Sequence, residues 1–186
     1  METRPSDFDE SIPVPLPDSP ALRIERAAPD DLPRIENLMQ FYNYELSAWY
    51  PIAFAADGRY AIASKADYLG QPGTEAWLIL VDDELAGFAV IDDELFDARR
   101  DLNLGYFFVA RRFRGRGVGA AAFGGLLARY PGQWELYYLA RNEAAAAFWP
   151  RAFARAGLVQ VAVSDERLFG EDCVMNRFEA PAPRLG

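Results

Sequence analysis

A helical repeat of apolar residues marks the first predicted element of any length. Six apolar residues recur at steps of three and four positions, which predicts a helix that ends near Ser47. They are Leu32, Ile35, Leu38, Met39, Tyr42 and Leu46. Alternation over Leu22 to Arg26 predicts a short strand before this helix. A second, weaker helix is predicted between Tyr60 and Leu69.

The pattern changes to a two-residue period between positions 75 and 110. Ala76 to Val81 and Leu85 to Ile91 are predicted as antiparallel strands, and Asp82-Asp83-Glu84 forms the tight connection between them. Leu102 to Ala110 is the third predicted strand. The acidic segment from Asp92 to Asp101 is interpreted as a solvated loop.

A glycine-rich loop then leads into a second amphipathic helix. Val118, Ala122, Leu126 and Tyr130 form its four-residue apolar stripe. Trp134 to Ala140 is the next strand. A helix is then predicted from the N-cap Asn142 to Ala156, with a kink at Pro150 and its end at Gly157. Two strands follow, at Leu158 to Val163 and at Asp172 to Glu179. This order of elements predicts an α/β (α+β) fold.

Composition narrows the classes of function. The chain has 186 residues, of which 51% are hydrophobic, and a net charge of −9. Domains commonly have about 150 residues. The length of the chain therefore indicates one domain, which is assigned to residues 21–180. Five prolines and five carboxylates predict a disordered tail at 1–20, with a second short tail at 181–186. The acidic charge argues against nucleic acid or membrane partners, and no apolar leader or membrane span is seen, so a cytoplasmic location is expected.

Histidine is absent, which excludes a Ser-His-Asp triad and any His-ligated metal site. Cys173 is the only cysteine, so no disulfide or thiolate cluster can form within the chain. No metal is expected.

The glycine loop is a candidate anion site. Backbone N–H groups at a helix start, flanked by glycines, can bind phosphate. A nucleoside-triphosphate loop would need Gly-Lys-Ser/Thr at its end, which is missing. Gly115, Gly117 and Ala120, with Glu135 twenty residues after Gly115, fit a dinucleotide fingerprint. However, antiparallel strands precede the loop and too few residues follow it for a second nucleotide-binding half. Coenzyme A is the third candidate ligand.

Arg114-Gly115-Arg116-Gly117-Val118-Gly119 resembles the GNAT superfamily of N-acetyltransferases, whose signature is (Gln/Arg)-x-x-Gly-x-(Gly/Ala). The preceding strand looks like the family's fourth strand, and Asn142 with Ala145, Phe148 and Trp149 is similar to the family's second half-motif. The resemblance covers residues 22 to 179. It implies a mixed, mostly antiparallel central sheet of about six to seven strands with helices on both faces.

The resemblance also implies acetyl-CoA as cosubstrate and an amine as acceptor. Phe107, Phe108 and Val109 would hold the pantetheine arm through main-chain groups, and the amides from Gly115 to Ala120 would take the pyrophosphate. Arg114 or Arg116 would pair with a phosphate. The full predicted coenzyme set is Phe107, Phe108, Val109, Arg114, Gly115, Arg116, Gly117, Val118, Gly119, Ala120, Asn142 and Trp149.

The catalytic residues depart from the family pattern. Tyr106 stands where the family often has a fourth-strand Glu, and Trp149 stands where it has its usual acid, a Tyr. Glu135 is the first substitute as general base. Tyr106, Tyr138 or the neighbouring Tyr137 would protonate the thiolate, unless solvent does so.

The predicted acceptor site is aromatic and acidic. The resemblance places it on the first two helices and nearby loops, where Tyr42, Glu45 and Trp49 would form a wall suited to a cationic amine. The acceptor is either a small cationic molecule or a peptide amine. The alternative function is a non-catalytic acyl-CoA-binding or sensing module. Among partners, a homodimer is the oligomeric state left open by the sequence.

Overall fold

The computed structural model describes residues 12–14, 21–61 and 73–182. Three α-helices run over Leu32–Leu46 (α1), Val118–Arg129 (α2) and Glu143–Arg155 (α3). Eight strands accompany them: Ile12–Val14 (β1), Leu22–Arg26 (β2), Glu75–Val81 (β3), Glu84–Asp92 (β4), Leu102–Val109 (β5), Gly132–Leu139 (β6), Val161–Leu168 (β7) and Glu171–Ala180 (β8).

All eight strands form one sheet in the order β1-β2-β3-β4-β5-β6-β8-β7. Neighbouring strands are antiparallel except β5 and β6, which are parallel. Within the described residues, this parallel pairing is limited to Leu102 with Trp134 and Asn103 with Glu135. Beyond those two pairs, β5 and β6 separate and leave a cleft in the middle of the sheet.

A β-bulge lies in β5 directly after the point where the two strands separate. Ile91 pairs with Leu104 and Val90 pairs with Tyr106, so Gly105 is the extra residue. A bulge bends its strand and increases the local twist. The position of Gly105 therefore fits the divergence of β5 from β6.

The sheet buries a core on each face. Residues of β3, β4 and β5 alternate between the faces, as side chains of a strand must. Helix α1 covers one face, where Ile35 and Met39 pack with Phe88 and Phe108. Helices α2 and α3 cover the other face, where Phe123, Trp134, Trp149 and Phe178 are among the buried side chains.

The predicted fold class is confirmed, including the mostly antiparallel sheet with helices on both faces. The β3–β4 hairpin is also as predicted, because Asp82 and Asp83 both take positive φ angles, of 50° and 63°, and such turns match the twist of a hairpin. The sheet has one strand more than expected: residues 12–14, within the predicted tail, pair with β2 as β1. The rest of that segment lies outside the described residues, as does most of the second predicted helix.

The start of β7 differs from the prediction of Leu158. After α3, Gly157 has a φ of +71°, and the amide of Leu158 donates to the carbonyl of Phe153 at 3.1 Å. Residues 157 and 158 thus complete the helix-ending motif, and β7 begins only at Val161. Helix α3 is continuous through Pro150.

Candidate active site

The glycine loop presents a row of backbone N–H groups at the end of β5. The amide of Arg114 donates to the Arg111 carbonyl at 3.1 Å, and that of Ala121 donates to the Gly117 carbonyl at 3.0 Å. Among the described residues, the amides from Gly115 to Ala120 between them have no hydrogen-bond acceptor. Gly117 is the N-cap of α2 and offers no side chain to cap it. This leaves the positive end of the helix dipole open to an anion.

Left-handed backbone at two glycines shapes this loop. Gly115 has a φ of +76° and Gly117 a φ of +83°, a region in which residues with a Cβ are strained. Gly119 serves a different purpose, because a Cβ there would lie 3.1 Å from Cε2 of Phe148 and 3.6 Å from Cε1 of Phe107. Gly119 thus lets the start of α2 approach α3 and β5 closely.

The loop arginines differ in their partners. Arg111 and Arg114 both pair with Glu45 of α1, and Arg112 pairs with Glu84. Arg114 also donates from Nε to the Val109 carbonyl at 2.7 Å, so its side chain is turned toward the protein. In the described part of the chain, Arg116 forms no ion pair or hydrogen bond, which favours it over Arg114 as a phosphate ligand.

Glu45 was predicted to bind the acceptor, but its carboxylate is held by the glycine loop. Burial raises its pKa, and the hydrogen bond from Arg111 with the charge of Arg114 outweighs this, so the pKa lies below its usual value. Glu45 stays ionised and links α1 to Arg111 and Arg114, at the start of the glycine loop. The geometry gives no support to a contact between Glu45 and an amine.

Aromatic packing surrounds the middle of α3. Trp149 is 7% exposed, and its ring centroid lies 5.6 Å from that of Phe107 and 5.3 Å from that of Phe123. Trp149 is therefore a core residue that supports the wall formed by Phe107 and Phe148, which stack at 5.9 Å. Asn142 caps α3, since its Oδ1 accepts from the amide of Ala145 at 3.0 Å.

Three tyrosines line the cleft on the α1 face. The ring of Tyr106 is 5.5 Å from that of Tyr42. Burial raises the pKa of Tyr42 and of Tyr137, and the proximity of Tyr106 adds a smaller rise to each. Burial raises the pKa of Tyr137 to about 12 and raises that of Tyr42 further. Burial also raises the pKa of Tyr138, which packs on the opposite face, with the core under α2 and α3. The raised pKa values keep Tyr42, Tyr137 and Tyr138 protonated at neutral pH.

Glu135, the predicted general base, is fully buried. One of its carboxylate oxygens accepts from the amide of Phe96, and the other accepts from Nε of Arg177 at 3.2 Å. Arg177 extends this network to Glu166. Both oxygens are thus used to hold β6, β8 and the loop after β4 together, and the geometry does not support Glu135 as a base.

Asp92, at the end of β4, is a carboxylate that the sequence analysis assigned to a solvated loop. It is 5% exposed and pairs in register with Asn103, whose Nδ2 donates to its Oδ1 at 2.8 Å. Burial raises its pKa to about 6. The only sequence signal for this site is that Asp92 directly follows the apolar run of β4.

The backbone at Trp49 contacts the residue that follows β6 after Ala140. Its carbonyl accepts from Nε of Arg141, just after β6, and Arg141 also pairs with Glu171 of β8 at 2.7 Å. The segment after α1 is thereby tied to the end of β6. Tyr42 packs on the same face of the sheet as Tyr106, as an acceptor site would require.

The described ranges contain no group of three or more His, Cys, Asp or Glu side chains that could hold a metal ion. In the same ranges, no helix is long and apolar enough to cross a membrane.

Comparisons with known proteins agree with this geometry. A family model described as the acetyltransferase (GNAT) family matches residues 38–154. No protein with a curated description matches in sequence. Solved structures with a similar fold include the ribosomal-protein-S5-alanine acetyltransferase from Vibrio fischeri, with a TM-score of 0.63 and 14% identity, over 91% of this chain and 96% of its own. An acetyltransferase from Thermus thermophilus has a TM-score of 0.60 and 17% identity, over 90% of this chain and 99% of its own.

The family match covers more than half of the chain, and it includes the glycine loop, the separated strands and the start of α3. The chain therefore belongs to the GNAT family of acetyltransferases and is an acetyl-CoA-dependent N-acetyltransferase.

Proposed function

We propose that the enzyme transfers the acetyl group of acetyl-CoA to a primary amine, on a small cationic molecule or a peptide, by direct attack within a ternary complex. The observation that carries this proposal is the combination of two features. β5 and β6 separate after two residue pairs, and a row of unpaired amides lies at the end of β5. Together they form an anion site that leads into an open cleft.

The residues present fit the coenzyme. The amides from Gly115 to Ala120 would bind the pyrophosphate, because they are donors without acceptors in the described structure. Of the predicted residues Phe107, Phe108 and Val109, the first and last turn their main-chain groups to the edge of β5 that faces β6, where they would meet the pantetheine arm, although the Val109 carbonyl already accepts from Arg114. Phe108 faces β4 instead, because strand residues alternate between edges and the amide of Ala110 donates to Ala86 of β4. Acetyl-CoA supplies the activated thioester. The protein supplies position and electrostatic stabilisation.

Proton transfers are assigned to groups of the cleft. Tyr106 and Tyr138 are the proposed donors to the departing thiolate, with Tyr106 next to the bulge and Tyr138 on the coenzyme side. The raised pKa of Tyr138 keeps its proton available. Trp149 takes no part in this step, because its indole is packed in the core and an indole N–H is a donor only in hydrogen bonds.

A protein or peptide amine is the first acceptor class to test. One structural neighbour is named for the alanine of a ribosomal protein, and NAA60 from Arabidopsis thaliana, with a TM-score of 0.53 and 16% identity, is bound to a bisubstrate analogue. In this chain Tyr42 and Trp49 provide an aromatic wall that an ammonium group can contact.

Thiol release tests the proposed function. We expect acetyl-CoA to release free thiol when incubated with the enzyme and peptides that carry a free N-terminal amine or with small primary amines. The same peptides with blocked amines are the control and should give only the rate of hydrolysis. Binding of acetyl-CoA without thiol release for any amine of a broad panel would contradict the proposal and favour a binding module.

Arg116→Ala should weaken binding of coenzyme A by about 3- to 10-fold, the effect of losing one exposed charge-assisted contact to a phosphate. Isothermal titration calorimetry at two salt concentrations measures the affinity and its salt dependence. Arg112→Ala is the matched control, because Arg112 lies in the same turn but pairs with Glu84. Equal losses in the two variants would show a general charge effect and would reject Arg116 as a ligand.

A further inference from the structure

Within the described residues, the narrow end of the cleft contains one buried oxygen that lacks a hydrogen-bond donor, beside a carboxylate with one unpaired oxygen. Asn103 is 3% exposed, and its Oδ1 has no partner in the described structure. Asp92 accepts at Oδ1 from Asn103 and from the amide of Glu94, at 2.8 and 3.2 Å, while no described donor is found at Oδ2. A buried acceptor without a donor is destabilising, because it has lost its hydrogen bonds to water. Together with the unpaired oxygen of Asp92, it indicates a site for a ligand that brings N–H or O–H groups.

The backbone places this pair at the point where the cleft begins. Asp92 and Asn103 are the last residue pair of β4 and β5, and Asn103 also forms the last pair of β5 with β6. Gly105, two residues further, is the extra residue of the bulge. A Cβ at Gly105 would lie 2.1 Å from Oδ2 of Asp92, so only glycine leaves room for that oxygen over the strand.

The surroundings of Asp92 contain no cation among the groups that act on it. Glu94 and Asp93 of the following loop add negative charge, and Tyr137 faces it from β6. Glu135, on the same face, is neutralised by Arg177. A cationic ligand is therefore the one that this environment favours. The acceptor of an N-acetyltransferase arrives as an ammonium ion, since the pKa of an alkyl amine is about 10.

On the basis of the proposed function, we propose that Asp92 is the catalytic base that takes the proton from the acceptor ammonium, and that Asn103 positions it. The proton passes from nitrogen to Oδ2 of Asp92. The nitrogen lone pair then forms the C–N bond, and the C–S bond breaks with its electron pair left on sulfur. The thiolate takes a proton from a tyrosine of the cleft or from solvent. The nitrogen gives up its second proton to that tyrosinate or to solvent as the amide forms, and Asp92 returns its proton to water.

The titration behaviour of Asp92 agrees with this role. Burial raises its pKa to about 6, against the opposing hydrogen bonds from Asn103 and the Glu94 amide, and the charges of Glu94 and Asp93 add to the rise. Asp92 is thus ionised at neutral pH, yet more basic than an exposed aspartate. Activity should rise as the pH increases through about 6.

Asp92→Asn tests the assignment, because an asparagine Oδ1 can keep the bonds from Asn103 and Glu94. With wild-type enzyme that releases thiol, the variant should lose about 100-fold in kcat while acetyl-CoA affinity by calorimetry changes less than about twofold. The limb of the pH profile near 6 should disappear. Asp30→Asn, at an exposed aspartate in the turn before α1, is the control and should retain wild-type kinetics. A variant that retains kcat, or that retains the limb, overturns the assignment, whereas an inactive wild type would overturn the proposed function instead.

Stability separates a catalytic role from a folding role. The pKa of Asp92 lies above its unfolded value, so the folded protein binds this proton more tightly and loses stability as the pH rises through about 6. The Asp92→Asn variant lacks this loss. Its melting temperature should exceed that of the wild type at about pH 8 and match it at about pH 4. A variant less stable than the wild type at both pH values would show that Asp92 is a structural residue.

Asn103→Ala provides a second, independent readout. The side-chain amide of Asn103 donates a hydrogen bond that lowers the pKa of Asp92. The variant lacks this bond, so the acid limb of the pH profile should move to higher pH. A positioning residue is expected to lower kcat without a change in acetyl-CoA affinity. An unmoved limb in a folded, active Asn103→Ala variant would contradict the positioning role.

Discussion

Replacing Gly115 and Gly117 together by valine should reduce the affinity for acetyl-CoA by about 100-fold, or roughly 2.7 kcal/mol. Both glycines have positive φ angles, of +76° and +83°, and each non-glycine residue held there costs about 1–2 kcal/mol. The loop would relieve this strain by rotating its peptide groups, which turns the amides away from the pyrophosphate. Calorimetric titration with acetyl-CoA measures the loss.

The control is the double variant Gly58→Val with Gly157→Val. Those glycines have φ angles of +78° and +71°, and like Gly115 they have open space where a Cβ would lie. The backbone strain is therefore comparable, but neither residue belongs to the glycine loop. If the control lost as much affinity as the loop variant, the effect would come from reduced stability and not from the amides.

Phe123→Ala should lower the free energy of unfolding by about 4 kcal/mol. The Phe123 ring is fully buried, with ring centroids of Trp149, Phe153 and Phe178 at 5.3, 5.9 and 6.0 Å. It joins α2 to α3 and to β8, so the substitution leaves a cavity between three elements. Urea denaturation measures the change.

Phe41→Ala is the corresponding control, because Phe41 is 61% exposed on α1. Its removal should change the free energy of unfolding by less than about 0.5 kcal/mol. Similar losses in the two variants would mean that the core under α2 does not have the packing described here. Since α2 carries the amides at its start, the folded fraction of Phe123→Ala should also bind acetyl-CoA more weakly.

Local patterns were sufficient to predict most of the fold. The strand Leu22–Arg26 and the hairpin at Asp82 and Asp83 follow from short-range alternation and turn chemistry, which depend on neighbours in the sequence. The glycine loop was predictable for the same reason, because its row of unpaired amides comes from consecutive backbone positions. The start of β7 was misplaced, since the helix-ending bond from Leu158 to Phe153 competes with the apolar pattern for the same residues.

Side-chain roles depended on contacts between distant parts of the chain. Glu45 and Arg114 are 69 positions apart, yet they share an ion pair, and no local pattern indicates it. Glu135 and Asp92 are both acidic residues at strand ends in the sequence. Arg177 neutralises the first, whereas the second is buried beside an amide that leaves it one free oxygen. Only the sheet order, with β8 next to β6, distinguishes them.

A crystal structure of the enzyme with acetyl-CoA would locate the bound coenzyme. We expect pyrophosphate oxygens within hydrogen-bond distance, about 2.7–3.2 Å, of amides between Gly115 and Ala120, with the thioester chain between β5 and β6. A structure in which those amides donate to protein carbonyls, and in which acetyl-CoA is bound elsewhere on the molecule, would overturn this placement.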